Sequence, residues 1–432
     1  MERYAEYRES GIQWIGKIPK HWETCFVRSY VQEYVEKNKP EKTRELLALS
    51  YALGVTLYRD KQYNMDRVKE NYEEYKIVHE HVLVVSPNDI IKGSAYVSDY
   101  YGCISPMYLT LKSRFEDPTY VFYLSYLLRT KQAGRTFFSI AKGLIGSILD
   151  NGKYVTRRMS VSRSDLMGFK VLMPPIEEQH SIVTYLDTKC AQINQMLEGK
   201  EKQIILLEEI KQRIIADAVT RGISKGVSLK DSGVLFYKQV PETWKMKRMK
   251  YLFRERSEKN HPEEQMLSAT QTEGVIPQSQ YANRVVVVTT GFEGLKLVKV
   301  GDFVIHLRSF QGGIEISHAQ GIISSAYTVL EPINAEFSPY FRYLFKSSNF
   351  IDLLKTCVTG IREGQNINYS KLKQFFLPVP PLHEQQEIVA YIKDRTAKID
   401  TLSAKLQQEI ERVKEYKQRL ISDVVTGQIK VC

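Results

Sequence analysis

A stretch of about 50 residues occurs twice in this chain, and this internal repeat restricts the folds that the chain can adopt. Residues 174–223 and 380–429 align without a gap and are identical at about 19 of 50 positions. Each copy opens with two prolines, which fit the first turn of a helix because an N–H there would have no partner. Glu178 and Glu384 follow, where the helix dipole favours negative charge. No further proline occurs in either copy, so each predicts a long helix.

Apolar residues return every three or four positions in both copies, and Glu, Lys, Gln and Arg fill most of the other positions. The apolar residues are Ile193, Leu197, Ile204, Leu207, Ile210, Ile214 and Ala218 in the first copy and Ile399, Leu402, Leu406, Ile410, Val413, Tyr416, Leu420 and Val424 in the second. This pattern is typical of a coiled-coil seam. A helix of roughly 40 residues is about 60 Å long. We expect the two helices to pack as an antiparallel pair, because each follows its own globular segment.

The repeat includes the segments that precede the helices. Residues 10–23 (SGIQWIGKIPKHWE) match residues 232–245 (SGVLFYKQVPETWK), with Trp22 and Trp244 in the same place. Weaker matches follow in the same order. SPNDIIKGS, which begins at Ser86, parallels KVGDFVIHL, and each is predicted to contain a strand after an acidic turn. Short runs of β-branched residues also predict strands, so we expect mixed α/β domains with a mostly antiparallel, twisted sheet.

The predicted fold is therefore α/β (α+β). Two similar mixed α/β domains alternate with two long helices that form an antiparallel coiled coil, and the molecule has pseudo-two-fold symmetry. We place the first domain at residues 1–173, the first helical region at 174–223, the second domain at 224–379 and the second helical region at 380–432. A linker rich in small and polar residues lies near residues 222–230. Two domains that share a fold but differ in surface residues are expected to recognise two different things.

Composition favours an anionic partner. The net charge is +11 and the isoelectric point is near 9.1, and nucleic acid is the commonest partner of such proteins. The five cysteines show neither a zinc-ligand spacing nor a disulfide framework, which fits a reducing cytosol. No apolar run reaches the ~18 residues of a membrane helix, and the charged first residues do not form a signal peptide. We expect a cytoplasmic protein without a membrane span.

Catalytic motifs are nearly absent from the chain. There is no G-x-x-x-x-G-K-[ST] loop for a nucleotide, and the two Pro-Pro pairs lack the Asn-Pro-Pro-aromatic setting of amino-methyltransferases. Asp66, Glu74 and Lys76 allow a nuclease-like arrangement to be drawn, but the solvated face of one helix explains them better. The histidines form no metal-ligand set. The sequence therefore predicts a binding protein and not an enzyme.

Two glycine-rich stretches in the second domain are candidates for contact with DNA bases. In HLRSFQGGIEIS, Arg308, Ser309 and Gln311 stand beside two glycines, which would let the backbone approach a groove closely. In GIREGQNINYSKL, the candidates are Arg362, Gln365 and Asn366. Arg can donate two hydrogen bonds to guanine, and Gln can pair with adenine in the same bidentate way. Turn formation alone is an equally good explanation of the glycines.

The first domain offers less clear counterparts. Lys92, Tyr96, Tyr100 and Tyr101 lie in the expected equivalent of the Arg308 region. Two adjacent arginines, Arg157 and Arg158, lie near the expected equivalent of Arg362. They belong to the basic stretch VTRRMSVSR, and a second basic stretch is KMKRMK at residues 245–250. Both stretches are candidates for phosphate contact, although such runs are more often simply solvated.

Several of these features together resemble the specificity subunit of Type I restriction-modification systems. They are PPIEEQ and PPLHEQ at the helix starts, WIGKIPKHW near the first residues, and LRSFQGG and GIREGQNI in the second domain. The resemblance covers the whole chain, as two target-recognition domains that alternate with two conserved helical regions. The first domain departs from the pattern, because GSAYVSDYYG lacks the RSFQGG wording. Its contact residues therefore cannot be carried over from that motif.

The resemblance implies a non-catalytic subunit that binds double-stranded DNA. It implies that two methyltransferase subunits dock on the paired helices, and that two translocating endonuclease subunits join for cleavage. No cofactor is expected in this chain. S-adenosylmethionine would be bound by the methyltransferase subunits, which flip out and methylate adenine at N6. ATP and Mg would be bound by the endonuclease subunits.

We expect each domain to read about three to five base pairs in a major groove. The target would then be bipartite and asymmetric, with an unread spacer, and its half-sites would lie about 34 Å apart. Two other classes stay open. The first is the recognition subunit of a different modification enzyme, in which one partner carries out both cleavage and methylation. The second is a coiled-coil scaffold, which a lack of salt-dependent affinity for DNA in the assembled complex would favour.

Overall fold

The structure is a computed structural model that describes residues 2–12, 14–51, 53–60, 71–143, 145–148, 154–156, 159–224, 226–281, 291–359 and 366–431. The chain divides into two compact units. Unit 1 contains Met1–Lys200 and Gln408–Cys432, and unit 2 contains Glu201–Gln407. Each unit therefore includes one globular part of the chain and a stretch of both helical repeats. The predicted four-segment division, with boundaries at 173, 223 and 379, stays a prediction.

The helices are short in the globular parts and long in the two repeats. They are α1 (Val27–Tyr30), α2 (Thr119–Leu128), α3 (Lys131–Ile140), α4 (Arg163–Met167), α5 (Ile176–Arg221), α6 (Ser309–Gly312), α7 (Ser338–Leu344), α8 (Ser348–Lys355), α9 (Tyr369–Leu372) and α10 (Leu382–Val425). The two repeats form α5 and α10, which begin directly after their proline pairs. Within the described residues, none of the helices combines the length and the apolar character that crossing a membrane requires.

Unit 1 is built on short antiparallel strands. They are β1 (Tyr7–Glu9), β2 (Lys17–Pro19), β3 (Glu23–Phe26), β4 (Val31–Glu33), β5 (Glu36–Lys37), β6 (Leu47–Ser50), β7 (Gly54–Leu57), β8 (Lys76–Val78), β9 (Leu83–Val85), β10 (Ala95–Val97), β11 (Gly102–Ile104), β12 (Leu109–Ser113), β13 (Ile145–Ile148), β14 (Tyr154–Thr156) and β15 (Lys170–Met173). The largest sheet has the order β10-β9-β12-β4. Val84 opposes Tyr96 on one side and Thr110 on the other.

Unit 2 repeats this plan. Its strands are β16 (Leu229–Asp231), β17 (Gln239–Pro241), β18 (Lys245–Arg248), β19 (Phe253–Arg256), β20 (Leu267–Thr270), β21 (Gly274–Pro277), β22 (Lys296–Val298), β23 (Phe303–Ile305), β24 (Glu315–Ile316), β25 (Gly321–Ile323), β26 (Thr328–Pro332), β27 (Val358–Thr359), β28 (Asn366–Ile367) and β29 (Phe376–Val379). The largest sheet has the order β19-β26-β23-β24, again antiparallel.

One predicted strand is wrong. Residues 86–94 form a turn followed by a 3₁₀ helix at Ile90–Lys92, and the strand β9 ends before them. The Ser86 hydroxyl accepts a hydrogen bond from the Asp89 N–H at 3.2 Å, and Gly93 has a φ of +88°. Such a Ser turn and a left-handed glycine both end extended structure. The paralleled stretch in the second domain does contain the strand β23, as predicted.

A tryptophan is tied to the first turn of the long helix in each unit. In unit 1 the Trp22 indole N–H donates to the Glu178 carboxylate at 2.9 Å. In unit 2 the Trp244 indole N–H donates to the Glu384 carboxylate at 2.8 Å. Both indoles are buried, so each needs such a partner. This pair explains why the Pro-x-x-Trp motif and the proline–glutamate helix start recur together.

Each core includes residues from both long helices. In unit 1, α5 and α10 contribute Ile182, Leu186, Leu420 and Val424 to the core around Trp22. The buried Tyr123 hydroxyl donates to the Val425 carbonyl at 2.8 Å. In unit 2 the corresponding residues are Ile215, Val219, Ile388 and Ile392, and the Tyr340 hydroxyl donates to the Val219 carbonyl at 2.8 Å. The long helices are therefore part of each globular core.

The helices are antiparallel within each unit. In unit 1, Lys200 forms an ion pair with Glu409, and the Lys417 ammonium donates to the Asn194 side chain at 2.7 Å. As the residue number increases along one helix, the residue number of the partner on the other helix decreases. In unit 2, Lys211 and Asp400 form an ion pair at 2.6 Å. The predicted fold class, with mixed α/β domains and antiparallel long helices, is confirmed.

Not every predicted seam residue is covered. Ile210, Leu402 and Tyr416 are exposed by 49%, 47% and 49% of their surface. Ile205 and Leu206, which were not assigned to the seam, are exposed to a similar extent. Periodicity shows which residues share a face of a helix, but it does not show what covers that face.

Candidate nucleic-acid interface

The turn after β23 in unit 2 carries three of the predicted contact residues. It runs from His306 to Gly313 and contains the single-turn helix α6. Ser309 is fully buried, and its hydroxyl accepts a hydrogen bond from the His306 N–H at 2.9 Å. Its carbonyl accepts another from the Gly313 N–H at 2.7 Å. Ser309 therefore shapes the turn with its buried hydroxyl, and its role as a DNA contact stays a prediction.

Arg308 and Gln311 point away from this core of the turn. Both are exposed. Neither side chain makes a hydrogen bond or ion pair with any residue that the structure describes. They are three positions apart around α6, so their side chains leave the same side of the turn. An exposed guanidinium beside an exposed amide is a suitable pair for bidentate contacts to bases.

The glycines of this turn have a packing role. Gly313 has a φ of +87°, and a Cβ atom there would lie 2.1 Å from the Phe345 carbonyl oxygen. A side chain at Gly312 would meet only the flexible Gln271 side chain, at 3.2 Å. Gly313 is therefore required by close packing onto the end of α7 and by its left-handed backbone, which agrees with the explanation of the glycines by turn formation.

A buried polar cluster supports the turn from below. The Lys346 ammonium donates to the Gly312 carbonyl at 2.9 Å and forms an ion pair with Glu315, which is 1% exposed. Burial raises the pKa of Glu315, although Lys346 acts in the opposite direction. Burial, together with Lys346 and Arg308, lowers the pKa of His306 to about 4. His306 is therefore neutral at pH 7, and its Nδ1 accepts from the Arg308 N–H at 3.2 Å.

The second predicted segment of unit 2 is the hairpin of β27 and β28. Asn366 is exposed, and its side-chain oxygen accepts from the Ile367 N–H at 2.9 Å, which leaves the amide NH₂ available. Arg362 and Gln365 lie outside the described residues. The hairpin follows α8 directly, and α8 packs against α6. The turn and the hairpin are therefore built on one helix.

Unit 1 has the same arrangement with different side chains. The 3₁₀ helix at Ile90–Lys92 packs against α3, and the hairpin of β13 and β14 follows α3. Counted from the end of the preceding strand, Asn88 occupies the place that Arg308 has in unit 2. The sequence comparison missed this equivalence because it paired residues 86–94 with the strand β23. Arg157 and Arg158 lie outside the described residues.

The other predicted contacts of unit 1 occupy different environments. Lys92 is exposed and forms an ion pair with Asp89 at 3.3 Å. The Tyr96 hydroxyl donates to the Tyr51 carbonyl at 2.6 Å, so this side chain is engaged in packing. The loop between β10 and β11 carries the last two candidates. Tyr100 is 38% and Tyr101 is 44% exposed, so both rings are accessible.

Three basic residues next to Lys92 were missed by the sequence argument. They are Arg129, Lys131 and Arg135, which line an open pocket together with Lys92. The signal was present, because Lys131 and Arg135 are four positions apart in a segment that forms a helix and so share one face. It was weak because neither residue belongs to a run of basic residues.

The described residues include no group of His, Cys, Asp or Glu arranged to hold a metal ion. Asp66, one member of the nuclease hypothesis, lies outside them. Lys76, another member, donates a hydrogen bond to the Tyr108 carbonyl at 2.9 Å. That bond gives Lys76 a place in the packing of unit 1.

Comparison with known proteins finds similar sequences of one kind. The model of the Type I restriction modification DNA specificity domain matches residues 241–412. A putative type I restriction enzyme MjaX specificity subunit from Methanocaldococcus jannaschii is 22% identical over 438 residues, which cover 96% of each chain. The type I restriction enzyme EcoBI specificity subunit from Escherichia coli is 23% identical over 68% of this chain and 65% of its own.

The fold is similar to that of a solved chain. A chain solved in a study of complex assembly and conformational transition of the type I R-M system superposes with a TM-score of 0.65. The match covers 95% of this chain and 99% of the other, at 13% sequence identity, and therefore bears on the fold alone. The matched domain and the aligned relatives therefore show that this chain is similar to specificity subunits of type I restriction enzymes, with residues 241–412 matching the DNA specificity domain.

Proposed function

We propose that the chain reads a bipartite, asymmetric DNA sequence, one part with each unit. The observation that carries this proposal is the same turn–helix–hairpin surface in both units with different exposed side chains. Arg308 in unit 2 is replaced by Asn88 in unit 1. Side chains on a common scaffold read bases by their hydrogen-bonding groups, so different side chains select different bases. The two half-sites are therefore expected to differ.

Arg308 and Gln311 are proposed to make the base contacts of unit 2. An arginine donates two hydrogen bonds to guanine, and a glutamine both donates to and accepts from adenine. Their rigid support favours this role, because the turn beneath them is fixed by Ser309, Gly313 and the Lys346–Glu315 ion pair. Asn366, Arg362 and Gln365 would extend the contacts from the hairpin.

The partners proposed for this chain are two methyltransferase subunits and two endonuclease subunits. The methyltransferase subunits are expected to dock on the long helices. Exposed apolar residues on these helices, such as Ile205, Leu206 and Leu402, support a protein partner there. S-adenosylmethionine would be bound by the methyltransferase subunits, and ATP and Mg by the endonuclease subunits. The modified base is then adenine, methylated at N6 by the partner and not by this chain.

A map of N6-methyladenine across the source genome, with and without this gene, tests the proposal. The expected result is a split, asymmetric motif that loses its methylation when the gene is deleted. Replacing the deleted gene by a copy that encodes the Arg308→Ala variant should relax the preference for one base of one half-site only. A genome with no motif that depends on this gene would contradict the proposal. Co-purification of one partner with both methylation and cleavage activity would instead point to a different class of modification enzyme.

A further inference from the structure

Unit 1 contains an open pocket of about 520 Å³ whose charged residues are all basic. It is formed where α3 packs on the 3₁₀ helix at Ile90–Lys92. The four basic residues are Lys92, Arg129, Lys131 and Arg135. Among the described neighbours, only Asp89 is an acidic partner of any of them, through its ion pair with Lys92. The pocket therefore has a net positive charge that the protein itself does not neutralise.

The positions of these charges are fixed by close packing. Gly134 lies between Lys131 and Arg135, and a Cβ atom there would be 2.4 Å from the Ile91 carbonyl oxygen. The helix and the turn are therefore in contact at their backbones. Lys131 and Arg135 on either side of Gly134 in the sequence are exposed, with no hydrogen bond or ion pair to any described residue. Only a close-packed glycine allows the cations of both segments to converge in this way.

Arg129 is held in place before any ligand binds. Its guanidinium lies 4.5 Å from the centre of the Tyr96 ring and 4.5 Å from that of the Tyr126 ring. Its Nε donates to the Ser125 carbonyl at 3.1 Å. Cation–π contacts of this kind orient the planar group and leave its other N–H groups as donors. A guanidinium with a fixed orientation is suited to a tetrahedral oxyanion such as a phosphodiester.

The same place in unit 2 has lost this charge. There α8 corresponds to α3, and both begin after a hydroxyl N-cap. Lys346 takes the place of Arg129 but is neutralised by the buried Glu315. Ser348 and Asp352 take the places of Lys131 and Arg135. Because the fold is kept while the cations are not, the basic pocket is not needed for folding and its cations are available to a ligand.

We propose that this pocket binds a backbone phosphate of the DNA half-site that unit 1 reads. The inference rests on the proposed function, and it assigns phosphate binding to Arg129, Lys131 and Arg135. Exposed Tyr51 and Phe138 line the same pocket, and their rings provide apolar contact for the adjoining sugar. The pocket adjoins the turn that is equivalent to the Arg308 turn, so a phosphate bound here lies next to the bases proposed to be read.

The test is the salt dependence of DNA binding by the complex of this chain with its methyltransferase partner. The double variant Lys131→Ala, Arg135→Ala removes two exposed cations without breaking a described contact. Affinity for all duplexes is expected to fall by a similar factor. The slope of log affinity against log salt should decrease by about 0.9, the value for one lost phosphate contact. The methylated motif should stay the same.

A matched control removes two cations elsewhere in unit 1. Lys20 and Lys39 are 67% and 70% exposed and pair with Glu6 and Glu73. The variant Lys20→Ala, Lys39→Ala has the same change in net charge and should leave the slope unchanged. An equal loss of slope in both variants would show a general charge effect and overturn the site.

Two other results would also overturn it. An unchanged slope in the Lys131→Ala, Arg135→Ala variant would show that no phosphate binds in the pocket. Loss of the methyltransferase subunit from the variant complex would show that the pocket binds an acidic protein surface. A wild-type complex that binds DNA without any sequence preference would contradict the proposed function itself, which is a different outcome from either of these.

Discussion

Arg308 and Ser309 are neighbours in the chain, yet they lie in opposite environments, one exposed and one buried. The hydroxyl of Ser309 forms a hydrogen bond inside the turn, whereas the guanidinium of Arg308 is exposed. The sequence predicted that this stretch is a turn with polar residues near glycines. It could not show which polar residues hold the turn together, because that depends on contacts such as those of Lys346 and Phe345, which come from distant parts of the chain.

Replacing Arg308 by alanine should relax the specificity of one half-site at one base. The loss of a bidentate contact is expected to cost about 1 to 3 kcal/mol on the preferred base and little on others. The loss is measured as the affinity of the complex for a set of duplexes that carry each base at each position of the half-site. Uniform weakening on every duplex would make Arg308 a phosphate contact instead. Arg254→Ala serves as the control, because it removes an exposed arginine from β19 of the same unit and should leave the base preference intact.

The stability of unit 2 should depend on the charge state of His306. Its pKa is about 4 in the folded chain and about 6.5 when unfolded. Between these values the unfolded chain binds a proton that the folded chain does not. The free energy of unfolding therefore rises with pH across this window, and up to about 3 kcal/mol is lost as pH falls through it.

Replacing His306 by asparagine separates the titration of this histidine from other effects of pH on stability. The variant His306→Asn keeps a side-chain acceptor for the Arg308 N–H but does not titrate. Urea unfolding of both proteins at pH 5 and pH 7.5 is the measurement. Wild type should lose more stability on acidification than the variant, while Glu315 contributes equally to both. An equal loss in the two proteins would show that His306 is not the titrating group.

At the scale of elements, the long helices were predicted best. Their starts follow from the proline pairs, and their length follows from the periodic pattern without proline. What anchors them was not predicted, because an indole and a carboxylate more than a hundred residues apart in sequence have no local signature. The exposure of Ile210 and Leu402 was also missed, since a periodic pattern carries no information about the partner that covers it.

The two anchors should respond differently to loss of the indole N–H. Glu384 accepts from Trp244, whereas Glu178 also accepts from the Tyr4 hydroxyl at 2.8 Å and from His21. Trp244→Phe is therefore expected to destabilise the chain by about 1 to 3 kcal/mol, because Glu384 loses its indole donor. Trp22→Phe should cost less. Urea unfolding midpoints compare the two variants, and a larger effect of Trp22→Phe would contradict this account.

At the scale of the whole molecule, the repeat predicted two similar units, and the residues that differ between them carry the proposed function. The strand order of the largest sheets and the paired tyrosine contacts, from Tyr123 and Tyr340 to the helix ends, recur in both. The sequence did not predict that residues 408–432 belong to unit 1, because no local pattern indicates which globular part the end of a helix packs against.

If the two repeats determine the spacing of the half-sites, lengthening both should lengthen the unread spacer. Insertion of four residues, about one helical turn or 6 Å, into each helix is expected to add a base pair or so to the spacer. Insertion points after Lys200 and after Gln407 separate the stretches that belong to different units. Sequencing of the methylated motif reads the result. A spacer of unchanged length would refute this role of the helices.

The composition of unit 1 has a consequence for synthesis on the ribosome. Unit 2 is one continuous piece of chain, but unit 1 needs its last residues, whose Gly427 carbonyl accepts from the Tyr7 hydroxyl at 3.0 Å. The part that is translated first is therefore completed last, after the C-terminal stretch has left the exit tunnel. A stop codon or frameshift near residue 408 spares all of unit 2, yet it leaves the apolar surface around Trp22 uncovered. Truncated products of this gene would thus be exposed to chaperones and proteases through the half that was made first.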